Sequence, residues 1–333
     1  MNKKRVSVGI IGDGGWGTTL AKVLAEKKCA VTVWGPFPEY VRELERKREN
    51  RKFLPGIKLP ASIRFSSDLK QVVAENNYLV LAIPSQYLMK VLKEVRQCSY
   101  RGKTFISVVK GIDTESFATM SQLIEKELGH VSIAVLSGPT IALEVARRIP
   151  TTAVVASGDK ILMDELQRLF SCDYFRLYTN PDVMGVEICG SVKNIIALAC
   201  GVCDGLGFGT NTKAALLTRG LVEMTRLGRA MRADPSTFIG LTGLGDLATT
   251  CFSPNSRNRF VGCELGKGRS IKSILRSMDA VAEGVVTVKA VYNLARKLQI
   301  DMPITEAVYG IIYRGRSPRK VVVDLMRRSL KSE

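Results

Sequence analysis

Three groups of residues in this 333-residue chain have types and spacings that chemistry can use. The first is Gly12-Asp-Gly14-Gly15-Trp16-Gly17, a G-x-G-x-x-G pattern that follows the apolar run 6–11 and opens a helical stretch, 18–26. In that strand–loop–helix setting the pattern is a dinucleotide-binding loop. Gly12 allows the tight turn, Gly14 lets the backbone approach a pyrophosphate, Gly17 lets helix and strand pack closely, and the N–H groups at the helix start receive the anion. The competing reading, a plain glycine turn, does not use that context. The second group sits where apolar strands end: Ile83-Pro84-Ser85, with Ser85 as a helix N-cap, Val109-Lys110-Gly111, and Ser137-Gly138-Pro139-Thr140, which opens a helix at Ile141. Ligands of doubly wound sheets lie outside the carboxyl ends of strands. That favours a cleft position for Lys110 over a surface one, and an anion or polar group at the Gly138–Thr140 turn over an ordinary cap. The third group lies in the second half: Lys193 inside an apolar helical stretch, Asp246 in Gly-Leu-Gly-Asp, and Ser256-Arg257-Asn258. Read alone, Arg257-Asn-Arg259 is equally a solvated basic loop.

The elements that must position these groups fall into two halves. Residues 6–11, 30–34, 78–83, 104–109, 131–137 and 151–157 read as strands, several of them apolar on both faces, as in a buried parallel sheet. Helical stretches 18–26, 39–50 and 116–128 alternate with them. The implied fold class is α/β, a doubly wound Rossmann-like sheet followed by an all-α C-terminal domain. Beyond about residue 180 the strand signal fades. Helical patterns cover 183–203, 211–231 (N-capped by Asn211), a turn at Asp234-Pro235, then 270–278, 285–298 and 319–329. We therefore expect a dinucleotide-binding domain over residues 1–185 and a helical substrate-binding domain over 186–333.

Composition narrows the class. Hydrophobic residues at 46% and charged residues at 24% suit a globular chain with a core. The basic start Met1-Asn-Lys-Lys-Arg5 resembles the opening of a signal peptide, but its apolar run is too short. No apolar stretch approaches the ~20 residues that span a bilayer, so membrane insertion is not expected and a cytoplasmic location is. Eight scattered cysteines without a secretion signal read as reduced thiols. The one C-x-x-C, Cys200 to Cys203, lacks a second pair at zinc spacing, and packing within an apolar helix is favoured over a metal site. The net charge of +18 is spread along the chain without a stripe of interleaved aromatics, which argues against nucleic acid and for a solvated basic surface.

Dinucleotide folds that select NAD usually carry an acid at the end of the second strand, on the ribose 2′-hydroxyl. Here the strand is followed by Gly35-Pro36, and the first acid is Glu39. A missing carboxylate removes repulsion against a 2′-phosphate. The expected cofactor is therefore NADP or NAD, with NADPH tolerated and weakly preferred.

The run Glu187-Ile-Cys-Gly190-Ser-Val-Lys193-Asn194 resembles the catalytic helix of NAD(P)-dependent glycerol-3-phosphate dehydrogenases, with the bacterial form the closer match. Ser137-Gly-Pro-Thr140, Thr218-Arg-Gly-Leu221, Gly243-Leu-Gly-Asp246-Leu247, Ser256-Arg-Asn258 and Glu283-Gly284 resemble the same family, in its order and over nearly the whole chain. The resemblance implies interconversion of sn-glycerol 3-phosphate and dihydroxyacetone phosphate, supplying phospholipid synthesis. It implies that Lys193 donates and accepts the proton. Lys110, Asp246, Ser256, Arg257 and Asn258 would line the substrate with Gly138 and Thr140; Lys193, Lys110 and Asp246 would serve catalysis. Ala142, Arg257, Val281 and Glu283 would lie near the cofactor beside Gly15, Trp16 and Lys110. Pro36 stands where some relatives have a polar residue, so no side-chain contact to the adenosine is expected from it.

That assignment is chemically coherent. Ketone reduction needs a hydride and a proton, and with a single histidine, His130, far from these motifs, lysine is the next tunable acid. Lys110 and Arg257 near Lys193 would tune it as neighbouring cations do. Gly190 leaves room one turn before Lys193. Arg257 offers a phosphate dianion two parallel charge-assisted bonds. Asp246 either holds the substrate hydroxyl or orients Lys193, and Thr250 is a polar contact or a packing residue. A related β-hydroxyacid-type dehydrogenase with a carboxylate substrate, and a non-catalytic dinucleotide-binding protein, are the alternative readings. No metal is expected, and a homodimer is the default assembly.

Overall fold

The structure, a computed structural model, describes residues 5–278 and 281–330. The start of the basic Met1–Arg5 run therefore lies outside the described residues. The chain divides into two compact units, one holding the residues up to Lys110 together with Ala118–Val183, the other Gly111–Phe117 and the residues from Met184 on.

The first unit is built on one eight-stranded sheet: β1 (Ser7–Ile11), β2 (Ala30–Trp34), β3 (Ile63–Ser66), β4 (Tyr78–Leu81), β5 (Thr104–Ser107), β6 (Ser132–Ser137), β7 (Thr151–Ala156) and β8 (Phe175–Asn180). Their order is β3-β2-β1-β4-β5-β6-β7-β8, all parallel from β3 to β6, with β7 antiparallel to β6 and parallel to β8. This is the doubly wound arrangement, with the strand order reversing between β1 and β4. The central strands carry apolar side chains on both faces: Val8, Ile10 and Ile11 of β1, Leu79, Val80 and Leu81 of β4, and Phe105 and Ile106 of β5 are buried. Helices on both sides require that pattern.

Two strands are additions to the sequence reading, and both lie at sheet edges. β3 (IRFS) buries Ile63 alone, and β8 (FRLYTN) alternates buried Phe175 and Leu177 with exposed Arg176 and Tyr178. Such half-solvated strands lack the continuous apolar run that marks an interior one. Helix starts also differ. Pro84, not Ser85, is the N-cap of its helix, and the helix after the Ser137–Thr140 turn begins at Ala142 with Ile141 as N-cap.

The second unit is helical. Its axis is the helix Val183–Gly205, with residues 185–203 all buried. By length and mean hydropathy, 1.6 over its best window, this helix could cross a membrane, contrary to the sequence reading, and that window is wholly buried inside the protein. It is crossed by the helix Arg257–Gly266, which the sequence reading did not anticipate. At the crossing a Cβ on Gly201 would strike the Arg259 carbonyl, and one on Gly262 the Leu198 carbonyl. Backbone meets backbone there. Each mid-helix glycine costs about 1 kcal/mol relative to alanine, a cost offset only where close approach is needed. The helix Thr210–Ala230 is capped by Gly209, so Asn211 lies inside it, whereas Asp234 does cap Pro235–Phe238 as its Asp-Pro pair suggests.

Thr210–Ala230 also supplies a buried acid. The Glu223 carboxylate accepts from the Ile304 and Thr305 amides at 2.5 and 3.1 Å and from the Thr305 hydroxyl at 3.0 Å. It thereby caps the helix Pro303–Arg314, which has no side-chain cap of its own. Burial pushes the carboxyl up to about 7 despite these donors. In the unfolded chain it ionises near 4.5. The folded state therefore holds the proton over a range where the unfolded state has lost it. This contribution to stability is full below pH 4.5 and disappears as pH rises through about 7. Thermal melts between pH 4.5 and 8 should show the wild type losing more stability than Glu223→Gln. Parallel curves would rule the linkage out.

Candidate functional site

In the first unit the glycine loop joins β1 to the helix Gly15–Glu26. Gly12 has φ +128°, a region an L side chain rarely adopts, and a Cβ there would strike the Ala82 carbonyl. Its amide donates to the Trp34 carbonyl at 3.0 Å, which ties the loop to the end of β2. Gly17 packs on the Gly12 carbonyl, while nothing lies within 4 Å of a Cβ placed on Gly14. The helix has Gly14 as N-cap and no side chain capping it, so its first N–H groups remain for an anion. An open approach at Gly14 and an uncapped helix start fit a dinucleotide pyrophosphate. Trp16 is half-buried and meets Phe175 edge-on at 6.2 Å. The Thr19 hydroxyl bonds the Ala142 carbonyl at 3.1 Å, holding Ala142 beside this helix.

At the end of β5 the Lys110 ammonium points to the Gly138 carbonyl at 3.5 Å, and the Thr140 hydroxyl donates to the same oxygen at 3.2 Å. Gly138 itself has φ +138°. The structure thus brings Lys110, Gly138 and Thr140 together. Next to them the buried Ser137 hydroxyl has no partner among the described atoms.

In the second unit Lys193 projects from the helix Val183–Gly205, with its side chain only 7% exposed. Its ammonium is paired with the Asp246 carboxylate, 2% exposed, and donates to the Thr250 hydroxyl at 2.8 Å. Thr250 in turn donates to the Asp246 carbonyl at 2.6 Å. Asp246 follows a π-helical turn, Leu241–Gly245, a wide turn that is frequent at functional sites. Asp246 therefore contacts Lys193, and Thr250 completes that contact instead of merely packing. Of the two roles expected for Asp246, this contact is the one that orients Lys193.

One turn along, the Asn258 amide donates to Asn194 Oδ1 at 2.9 Å and its oxygen accepts from the Gly284 amide at 3.0 Å. Gly284 lies in the first turn of Glu283–Lys297, so Asn258 fixes the start of the helix opened by Glu283, with Val281 just before it. Ser256 is the N-cap of Arg257–Gly266 and its hydroxyl accepts from the Arg259 amide. The two arginines then separate. Arg259 pairs with Asp204 at 2.6 Å, while Arg257 is exposed at the first turn of its helix.

Family models for the N-terminus and the C-terminus of NAD-dependent glycerol-3-phosphate dehydrogenase match residues 7–163 and 182–323. The chain belongs to this family. It is 48% identical over 329 residues to a glycerol-3-phosphate dehydrogenase [NAD(P)+] of Geobacter metallireducens, covering 98% of each chain. A Leptospira biflexa relative of the same name is 46% identical over 331 residues, covering 98% of this chain and 99% of its own. The solved glycerol-3-phosphate dehydrogenase of Coxiella burnetii superposes with a TM-score of 0.94 at 36% identity, over 97% of this chain and 99% of that one.

Within the family frame, two residues escaped the sequence reading. Asn50 is buried, donates to the Asp13 carbonyl at 2.8 Å and to the Thr18 hydroxyl at 2.7 Å, and so clamps the glycine loop. Asp13 itself brings a carboxylate to Gly35, so the corner at the end of β2 is not free of acid as expected. No local pattern joins positions 13, 35 and 50, because only the fold makes them neighbours. A cavity of about 450 Å³ elsewhere in the helical unit, lined by Tyr292, Arg296, Met302, Thr305 and Arg314 among others, contains none of the assigned side chains.

Proposed function

We infer that this chain interconverts sn-glycerol 3-phosphate and dihydroxyacetone phosphate with NAD(P)(H), with Lys193 as the proton donor and acceptor. The observation that carries the residue assignment is the buried Lys193–Asp246–Thr250 cluster. A lysine held by a carboxylate and a hydroxyl, inside a family of nicotinamide-dependent dehydrogenases, is positioned as a general acid. When bound, the nicotinamide supplies the hydride. The Lys193 ammonium gives its proton to the ketone oxygen as that oxygen gains negative charge, and the neutral amine takes it back in the opposite direction. Asp246 holds the amine through both states. The glycine loop and the uncapped start of Gly15–Glu26 hold the pyrophosphate. Arg257, unpaired with any described acid and exposed, grips the substrate phosphate through its planar fork, with Lys110, Gly138, Thr140, Ser256 and Asn258 completing the substrate contacts. Val281, Glu283, Ala142 and Trp16 are assigned to the cofactor.

We read the enzyme as a cytoplasmic homodimer supplying glycerol 3-phosphate for phospholipid synthesis; its eight cysteines, none of them in a disulfide, suit a reducing compartment. The test is absorbance at the nicotinamide band when dihydroxyacetone phosphate is added to protein with NADH or NADPH. Prompt oxidation is expected. Oxidation only with a keto acid would point to a carboxylate substrate, and no oxidation with any ketone would leave a binding protein. Arg257→Lys should raise KM for the phosphorylated ketone by roughly 10- to 100-fold with a smaller change in kcat, because a point charge cannot replace the bidentate fork. An unaltered KM would move the phosphate elsewhere.

A further inference from the structure

We propose that Asp13, in the glycine loop, reads the adenosine ribose and makes this chain prefer NAD(H) to NADP(H). The proposal rests on the dinucleotide reading above. In dinucleotide folds the acid that bonds the ribose 2′-hydroxyl extends from the end of the second strand. Here β2 ends at Trp34, and the next residue, Gly35, has no side chain to extend. The space is nevertheless filled. A Cβ on Gly35 would strike Asp13 Oδ2 and come within 2.8 Å of Asp13 Cγ and 3.0 Å of Val41 Cγ2. The carboxylate that the strand lacks is thus supplied from the loop, two residues past the end of β1, and occupies the place where a strand-end acid would begin.

That carboxylate has unused capacity. Asp13 Oδ2 is buried and has no hydrogen-bond partner among the described atoms. A buried acceptor left unmatched is costly, and a ribose hydroxyl is the donor that would match it. Burial raises the Asp13 carboxyl, while its own backbone and the Lys52 ammonium act to keep it ionised. The position is rigid. Asn50 donates to the Asp13 carbonyl at 2.8 Å, and the Asn50 oxygen is taken by the Tyr40 hydroxyl at 2.6 Å and the Phe53 amide at 3.1 Å. These bonds fix the loop backbone at Asp13, from which the carboxylate extends toward Gly35. A 2′-phosphate would set a dianion against a carboxylate, whereas a 2′-hydroxyl would give it a hydrogen bond. Among the described residues the Lys52 ammonium acts on Asp13 and favours its ionised form.

Equilibrium titration of the full chain with NADH and with NADPH, without substrate, reads the preference directly through nicotinamide fluorescence. The wild type should bind NADH at least ~10-fold more tightly, the size of one hydrogen bond to a charged group. Asp13→Asn should bring the two dissociation constants within about twofold of each other. General loosening of the loop would weaken both nucleotides alike and leave their ratio intact, so the ratio separates ribose reading from a structural role. The double variant Asp13→Gly/Gly35→Asp, which returns the acid to the strand end, should restore the NADH preference. A wild type that binds NADPH as tightly as NADH, or an Asp13→Asn ratio equal to that of the wild type, overturns the proposal while leaving the dehydrogenase reading intact. Failure to bind either nucleotide overturns both.

Discussion

Lys193→Ala is expected to lower turnover by roughly 10²–10⁴-fold, the usual worth of a positioned general acid, while the affinity for NADH stays within about twofold. The separation follows from where the side chain lies. Lys193 belongs to the helical unit and touches Asp246 and Thr250, whereas the glycine loop, Asn50 and Asp13 belong to the sheet unit. Steady-state assay with dihydroxyacetone phosphate and fluorescence titration with NADH measure the two quantities on one preparation. Turnover that survives the substitution would remove Lys193 from the proton transfer. Loss of NADH binding would show that the substitution acts through the fold instead.

Asp246→Asn should show a double effect. The buried Lys193 ammonium would lose the carboxylate it pairs with, which costs on the order of 3–5 kcal/mol, and kcat should fall because the amine is less firmly held. Thermal unfolding and kcat are then read together. The double variant Lys193→Met/Asp246→Asn removes the stranded charge, so it should regain most of the lost stability and none of the activity. Stability that does not return in the double variant would mean that Asp246 supports the π-helical turn Leu241–Gly245 independently of Lys193.

The parts of the fold legible in the sequence were those whose burial is symmetric. β1, β2 and β4 to β7 announce themselves because apolar residues line both faces. β3 and β8 do not, because edge strands turn Arg64, Arg176 and Tyr178 to solvent and share the composition of loops. Ser270 caps the helix it was expected to lie in, whereas Asp234 could be read as a cap from its own chemistry. Asn211 and Ser85 could not, since the backbone turns one or two residues earlier, at Gly209 and Pro84. The same limit governs the site. Position along the chain singled out Lys193, Lys110 and Asp246 as unusual, but it did not distinguish Arg257 from Arg259. That distinction depends on Asp204, 55 residues away in sequence, which pairs with Arg259 and with Lys213. Asp13 lies inside the glycine motif, yet its meaning comes from its nearness to Gly35, which only the fold creates.

The backbone seam at Gly201 and Gly262 has a mechanical consequence. Where side chains separate two helices, a rotamer change can absorb a small insult; here carbonyl oxygens press directly on Cα hydrogens, so an added methyl must translate a whole rod. Gly201 stands eight residues from Lys193 on the same helix, about 12 Å along its axis. A methyl inserted at the seam is therefore felt at the amine and at the Asn194–Asn258 bond, turning a distant glycine into a gauge of catalytic alignment.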